Sequence, residues 1–145
     1  KIHFIGALQS RKVKDIIKLS NVIETLDSES AAKKIANLDI SLKNKLKLFI
    51  QINLGKEIQK RGIAVCETEN FLDMCREKYK LTISGGMALP PKSKTPEKYF
   101  KTLKDLCEKN NLKEISMGMS DDYEKAIELG STNIRIGTKL FGKRN

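Results

Sequence analysis

At 145 residues, with 28 Lys and Arg against 18 Asp and Glu, the chain can bury one core and carries a formal charge of +10, but it is shorter than the roughly 250 residues of a complete α/β barrel. No apolar run approaches the roughly 20 residues that span a bilayer, no signal or transit segment is visible, and one histidine with three cysteines lacking C-x-x-C spacing argues against a zinc site. The lysines are spread through every predicted helix and aromatic residues are few, so the charge reads as a solvated surface and neither nucleic acid nor membrane is an expected partner.

Ile2 to Ile5 is a short apolar run closed by Gly6 and predicts a strand. Because the chain opens on Lys1 inside such a run, its natural start is expected to lie further upstream. Gln9 to Leu19 predicts a helix, with Val13, Ile16 and Ile17 at i, i+3, i+4 on its inner face. Val22 to Leu26 is a second strand, and Ser28 caps a helix that turns Ala31, Ala32, Ile35 and Ala36 inward. Leu46 to Leu54 (LKLFIQINL) is the longest strand, with the polar stretch Gly55 to Gly62 as a loop beyond it. Glu69 to Tyr79 predicts a helix burying Phe71, Leu72, Cys75 and Tyr79. Leu81 to Ser84 follows as a strand closed by Gly85 and Gly86, and Pro90 to Thr95 as a loop. Thr95 as N-cap, with Pro96 at the first helical position, opens a helix to Lys109 whose buried stripe is Phe100, Leu103 and Cys107.

The stretch from Glu114 to Arg144 is the most informative. Ile115 to Met117 and Asn133 to Ile136 read as buried strands. Between them Ser120, Asp121 and Asp122 offer N-cap chemistry, Glu124 completes an Asp-x-x-Glu pattern, and Gly130 stops the helix. A β-α-β unit places the C-terminal ends of both strands on one edge, and these carry Met117-Gly118-Met119-Ser120 and Arg135-Ile136-Gly137-Thr138. Glycine lets an anion approach main-chain N–H groups, a hydroxyl adds a donor, and Arg135 offers a fixed cation to a carboxylate, phosphate or ring nitrogen. Two readings stand side by side: a phosphate cradle shared by the two turns, or ordinary βα turns, in which Gly and Ser are common. Six strands alternating with helices argue for a parallel sheet, open or barrel-shaped. Five of them end at or near a glycine: Gly6, Gly55, Gly85, Gly118 and Gly137. In a barrel, phosphate commonly sits at the loops after the last two strands, which favours the cradle.

On HFIGALQSRK (His3 to Lys12), FIQINLGKEIQKRGI (Phe49 to Ile63), GMALPP (Gly86 to Pro91) and SMGMSDDYEKAIELGSTNIRIGTKLFGKR (Ser116 to Arg144), in that order, the chain resembles the pyridoxal-phosphate homeostasis proteins, relatives of the N-terminal barrel of alanine racemase. The resemblance implies an α/β fold, the (β/α)8 TIM barrel. Residues 1–145 would form one partial-barrel domain, covering about strands three to eight and the C-terminal two-thirds of the cofactor-binding domain. It implies pyridoxal 5'-phosphate as cofactor, with Ser120 and the Gly137-Thr138 turn on its phosphate, Met119 alongside and Arg135 facing the pyridine nitrogen. A permanent cation does not leave that nitrogen protonated, so the cofactor is a weaker electron sink than one paired with a carboxylate.

The resemblance therefore implies a cytoplasmic carrier or buffer of the cofactor with little or no catalysis, no catalytic residues and no metal. It implies a monomer in the full-length form and apo forms of pyridoxal-phosphate enzymes as partners. The family's Schiff-base lysine lies on a strand ahead of His3, and neither Lys12 nor Lys139 matches it, so covalent attachment is not expected of this chain. Arg11 stands where the family usually has Asn, and QKSG has become QKRG with Arg61. His3 matches the family and reads as structural.

The alternative is a pyridoxal-phosphate-dependent enzyme of the amino-acid racemase type, which needs a lysine or tyrosine acid/base pair flanking the ring. Tyr79, Tyr99 and Tyr123 fall within or at the ends of predicted helices, which counts against it. A barrel without two adjacent strands exposes two unpaired edges. The isolated 145-residue chain is therefore expected to be marginally stable or to aggregate. Thermal unfolding combined with size-exclusion chromatography checks this, and a cooperative transition of a soluble monomer would contradict it.

Overall fold

The computed structural model describes residues 1–55, 60–91 and 93–142. Seven strands form among these: β1 His3–Phe4, β2 Val22–Leu26, β3 Lys47–Asn53, β4 Ile63–Ala64, β5 Ile83–Ala88, β6 Glu114–Met119 and β7 Asn133–Arg135. The sheet runs β1-β2-β3-β5-β6-β7, every pairing parallel, with β4 added on the C-terminal end of β3. The helices are α1 Val13–Leu19, α2 Glu29–Ala36, α3 Ile40–Lys43, α4 Thr68–Asp73, α5 Glu97–Lys109, α6 Tyr123–Glu128 and α7 Thr138–Phe141.

Successive strand residues point to opposite faces of the sheet. One set, including Ile23, Ile50, Ile52 and Met117, packs with Val13, Ile35, Leu72 and the α5 stripe Phe100, Leu103 and Cys107 in the core beneath the helices. The opposite face carries a second apolar cluster, Val22, Phe49 and Met87. Beside that cluster lie the buried polar residues Glu24, Gln51 and Ser116. β2 is buried on both faces along its whole length and β3 through its middle. The Ser116 hydroxyl on β6 donates to Glu24 Oε2 on β2 at 2.5 Å although β3 and β5 lie between those strands. Such a contact requires the sheet to curl, and the architecture is a partial α/β barrel with this polar pair on its concave side. Among the described residues β1 and β7 end the sheet, and Ile2, Ile5 and Ile134 beside these edges are exposed.

Several expectations shift in detail. Gln9–Leu19 divides into a 3-10 turn, Ser10–Lys12, and α1. The Ser28 cap forms, its Oγ accepting from Ala31 N at 3.4 Å. Pro96 takes the N-cap of α5 in place of Thr95, whose N–H instead donates to Ser93 Oγ. After α4 the chain widens into a π-turn over Met74–Lys78. The loop expected over Gly55 to Gly62 lies partly outside the described residues, as does Lys92 in the loop expected from Pro90 to Thr95. Beyond the first of these, Ile63–Ala64 makes the unexpected β4. The Arg61 guanidinium holds Asp27, at the end of β2, through two bonds of 2.8 and 2.9 Å.

The larger correction concerns Gly85 and Gly86. They do not close a strand but lie inside β5, opposite Phe49 and Ile50. A Cβ on Gly85 would stand 2.6 Å from Glu114 O and 2.8 Å from Phe49 Cδ1, and one on Gly86 would stand 2.7 Å from Cys107 Sγ. The pair marks close approach of neighbours from both faces, the other meaning of glycine in a strand. Because the Glu114 carbonyl is backbone and cannot swing aside, Gly85→Ala is expected to cost about 1–3 kcal/mol, as overpacking does. Urea unfolding checks this by a lower midpoint at unchanged m-value.

Candidate cofactor-binding site

β6 and β7 do not run in step. Ser116 pairs with Asn133 and Met119 with Arg135, so β6 spends three residues where β7 spends two. The extra residue is accommodated at Gly118, whose φ of +91° disfavours side-chain-bearing residues. A Cβ there would also meet Ala126 Cβ at 2.5 Å. Ser131 Oγ fills the gap between the strands, with its one proton in reach of Met117 O at 2.8 Å and Asn133 O at 3.0 Å. The offset carries Ser120 over to the turn after β7, where its Oγ accepts from Gly137 N at 3.2 Å and Lys139 N at 3.4 Å. The expected N-cap role of Ser120 is thereby corrected. Asp122 holds the N-cap position, and its carboxylate takes the Met119 N–H at 2.7 Å, leaving the serine hydroxyl to the other turn.

Arg135, on β7, is held inside the curl. Nη1 donates to Ser116 Oγ at 2.6 Å and Nη2 to Ala88 O at 2.8 Å. Ser116 passes its own proton to Glu24 Oε2, and the second Glu24 oxygen lies 2.6 Å from His3 Nδ1. A carboxylate oxygen only accepts, so Nδ1 is the protonated nitrogen. One polar chain thus ties together β1, β2, β6, β7 and β5, with Glu24 at 2 % exposure and Ser116 at 0 %. Burial pushes the guanidinium below its ordinary range, while the Glu24 and Asp122 carboxylates favour its charged form. Arg135 Nε is also buried, with no hydrogen-bond partner among the described residues.

An open cavity of about 780 Å³ lies along this chain, lined by His3, Glu24, Met119, Arg135, Ile136 and Gly137 among others. Met119, Arg135 and Gly137 therefore share one wall, Ser120 bonds to that wall from the neighbouring turn, and Thr138 begins α7 directly beyond it. Glu24 and Ser116 went unnoticed in the sequence. Their signal is a carboxylate and a hydroxyl flanked by apolar residues within strands, VIETL and EISMGM, since acids are almost never fully buried unless paired. Tyr123 stands nearer the turns than its place at the start of α6 implied: Lys139 Nζ sits 4.5 Å from its ring centroid.

The alanine racemase N-terminal domain family matches residues 1–145. The chain belongs to that family. Within it, the chain is 35% identical to the pyridoxal phosphate homeostasis protein of Aquifex aeolicus over 98% of its length and 66% of the relative's. It is 36% identical to the protein of the same name from Homo sapiens, over 100% of this chain and 59% of that one. The chain thus spans about two-thirds or less of the curated relatives it matches. Among solved structures it is similar to PipY of Synechococcus elongatus, at 27% identity with a TM-score of 0.80 over 97% of this chain and 70% of PipY. PipY with PLP bound matches at 26% identity and a TM-score of 0.78, over 97% of this chain and 69% of PipY. These likenesses agree with the partial-barrel architecture read from the sheet.

Replacing Ser120 by Ala removes the acceptor shared by two main-chain N–H groups, with an expected loss of about 1–2 kcal/mol. Amide exchange at Gly137 and Lys139 should accelerate selectively, and unchanged protection at both would contradict the bridge.

Proposed function

We propose that the chain is the pyridoxal-phosphate-gripping part of a protein that buffers and carries this cofactor in the cytoplasm. The observation that carries the reading is the buried Arg135 Nε–H, without an acceptor among the described residues, on a side chain that lines a cavity together with Gly137. An unprotonated pyridine nitrogen is an acceptor of the kind this donor lacks. At the turns, the Ser120 hydroxyl and the Gly137 and Lys139 N–H groups converge, and in switching from one another to a phosphate they offer three donors to its oxygens. Met119 flanks the ring and Thr138 adds a hydroxyl beside the phosphate turn. The curated relatives' names and the PLP-bound PipY structure support the same ligand.

The bound cofactor would supply a reactive carbonyl and an electron-withdrawing ring. Arg135 keeps the ring nitrogen unprotonated and so weakens the ring as an electron sink, which suits retention and delivery more than turnover. The protein is read as a non-catalytic monomer in full-length form that hands the cofactor to apo-enzymes. Residues 1–145 are read as one partial-barrel domain. Free Cys66, Cys75 and Cys107 fit a reducing compartment. Burial also pushes the Cys75 and Cys107 thiols up to about 12, which keeps them unreactive.

In the full-length protein, Arg135→Gln is expected to remain folded by circular dichroism. It should bind pyridoxal phosphate about 10- to 100-fold more weakly in equilibrium dialysis, the scale of one charge-assisted hydrogen bond. Unchanged affinity would overturn the assigned role.

A further inference from the structure

The donor and acceptor arithmetic around Arg135 reaches beyond the residues that face the cavity. Ser116 Oγ has a single proton and gives it to Glu24, so toward Arg135 it can only accept. Glu24 sets one oxygen against the Ser116 hydroxyl and the other against His3 Nδ1, so both of its oxygens have partners. The carboxylate and the guanidinium do not touch; a fully buried hydroxyl stands between them. With Nη1 held by Ser116 and Nη2 by the Ala88 carbonyl, the guanidinium plane is pinned at two corners, and Nε–H is the corner left without a partner among the described residues.

We propose that Glu24 and Ser116 are positioning residues for the cofactor ring: the carboxylate, acting through the hydroxyl, locks Arg135 in the orientation that presents its Nε–H to the ring nitrogen. This rests on the pyridoxal-phosphate reading of the site. Neither residue holds the phosphate, which is gripped at the other end by the turns of Ser120 and Gly137. Remove the Glu24 charge and the buried guanidinium loses one of the two carboxylates that favour its charged form, leaving Asp122 as the other. Remove the Ser116 hydroxyl and both the carboxylate and Nη1 lose their common partner. In either case Nη2 stays on the Ala88 carbonyl, but the Nη1 corner is held less firmly and the direction of Nε–H is less sharply set.

The test compares two ligands on the full-length protein, pyridoxal 5'-phosphate and its deaza analogue, in which a C–H replaces the ring nitrogen. Glu24→Gln and Ser116→Ala are each expected to bind pyridoxal phosphate about tenfold more weakly than the parent, the scale of one misplaced hydrogen bond. Parent and variants should bind the deaza analogue alike, because that ligand offers nothing for Nε–H to find. Equal losses for both ligands would make the two residues structural and overturn the proposal, as would unchanged affinity for pyridoxal phosphate. Should Glu24→Gln fail to fold by circular dichroism, Ser116→Ala carries the same comparison. A parent protein that binds neither ligand would overturn the proposed function itself, a result distinct from any pattern among the variants.

Discussion

The offset between β6 and β7 is the constraint on which the site depends. Parallel strands in step would carry their C-terminal turns past one another with a fixed spacing. One extra residue at Gly118, in a backbone conformation that costs other residues about 1–3 kcal/mol, moves Ser120 onto the turn after β7. β2 shows a comparable offset between Ile23 and Leu26, the segment that carries Glu24. β5 carries a further offset, between Ile83 and Gly85, and β2 and β6 are the irregular strands whose side chains meet across the concave face. Bulges that re-aim side chains beside functional sites are a recurrent device of sheets.

Charge burial follows from the same geometry. Taking a carboxylate and a guanidinium out of water is costly, and their attraction offsets that cost only where the remaining lone pairs and protons are satisfied. Here both oxygens of Glu24 have partners, as does each terminal nitrogen of Arg135, and among the described residues Nε is the nitrogen with none. A buried donor without a partner among the described residues, on a side chain that lines an open cavity, is a place where a fold has kept a valence for something else. Elsewhere the charge is deployed conventionally, in exposed pairs such as Lys47–Glu114 and Lys78–Glu29, which contribute little each.

Much of this was legible in the residues alone. The Phe100, Leu103 and Cys107 stripe, the Ser28 cap and the adjacency of the two C-terminal turns all follow from periodicity, capping chemistry and the β-α-β rule. Gly85 and Gly86 misled because a glycine pair carries the same local signal whether it ends a strand or admits a neighbour. Only the positions of Phe49, Glu114 and Cys107 decide between these meanings. Glu24 and Ser116 are 92 residues apart, and their partnership exists only once the sheet has curled. The Asp122 carboxylate was free in principle to cap α6. That it turned back to Met119 is a competition between two nearby N–H groups that spacing does not resolve.

The central claim is that one end of a single ligand rests between the Ser120 hydroxyl and the Gly137–Lys139 main chain, while Arg135 meets the other. A crystal structure of the full-length protein soaked with pyridoxal phosphate tests it most directly. The account expects phosphate density bridging those two turns, with Arg135 Nε directed at the ring. Phosphate density at Lys60 and Arg61 instead, beside Met119 in the adjoining cavity, would contradict it.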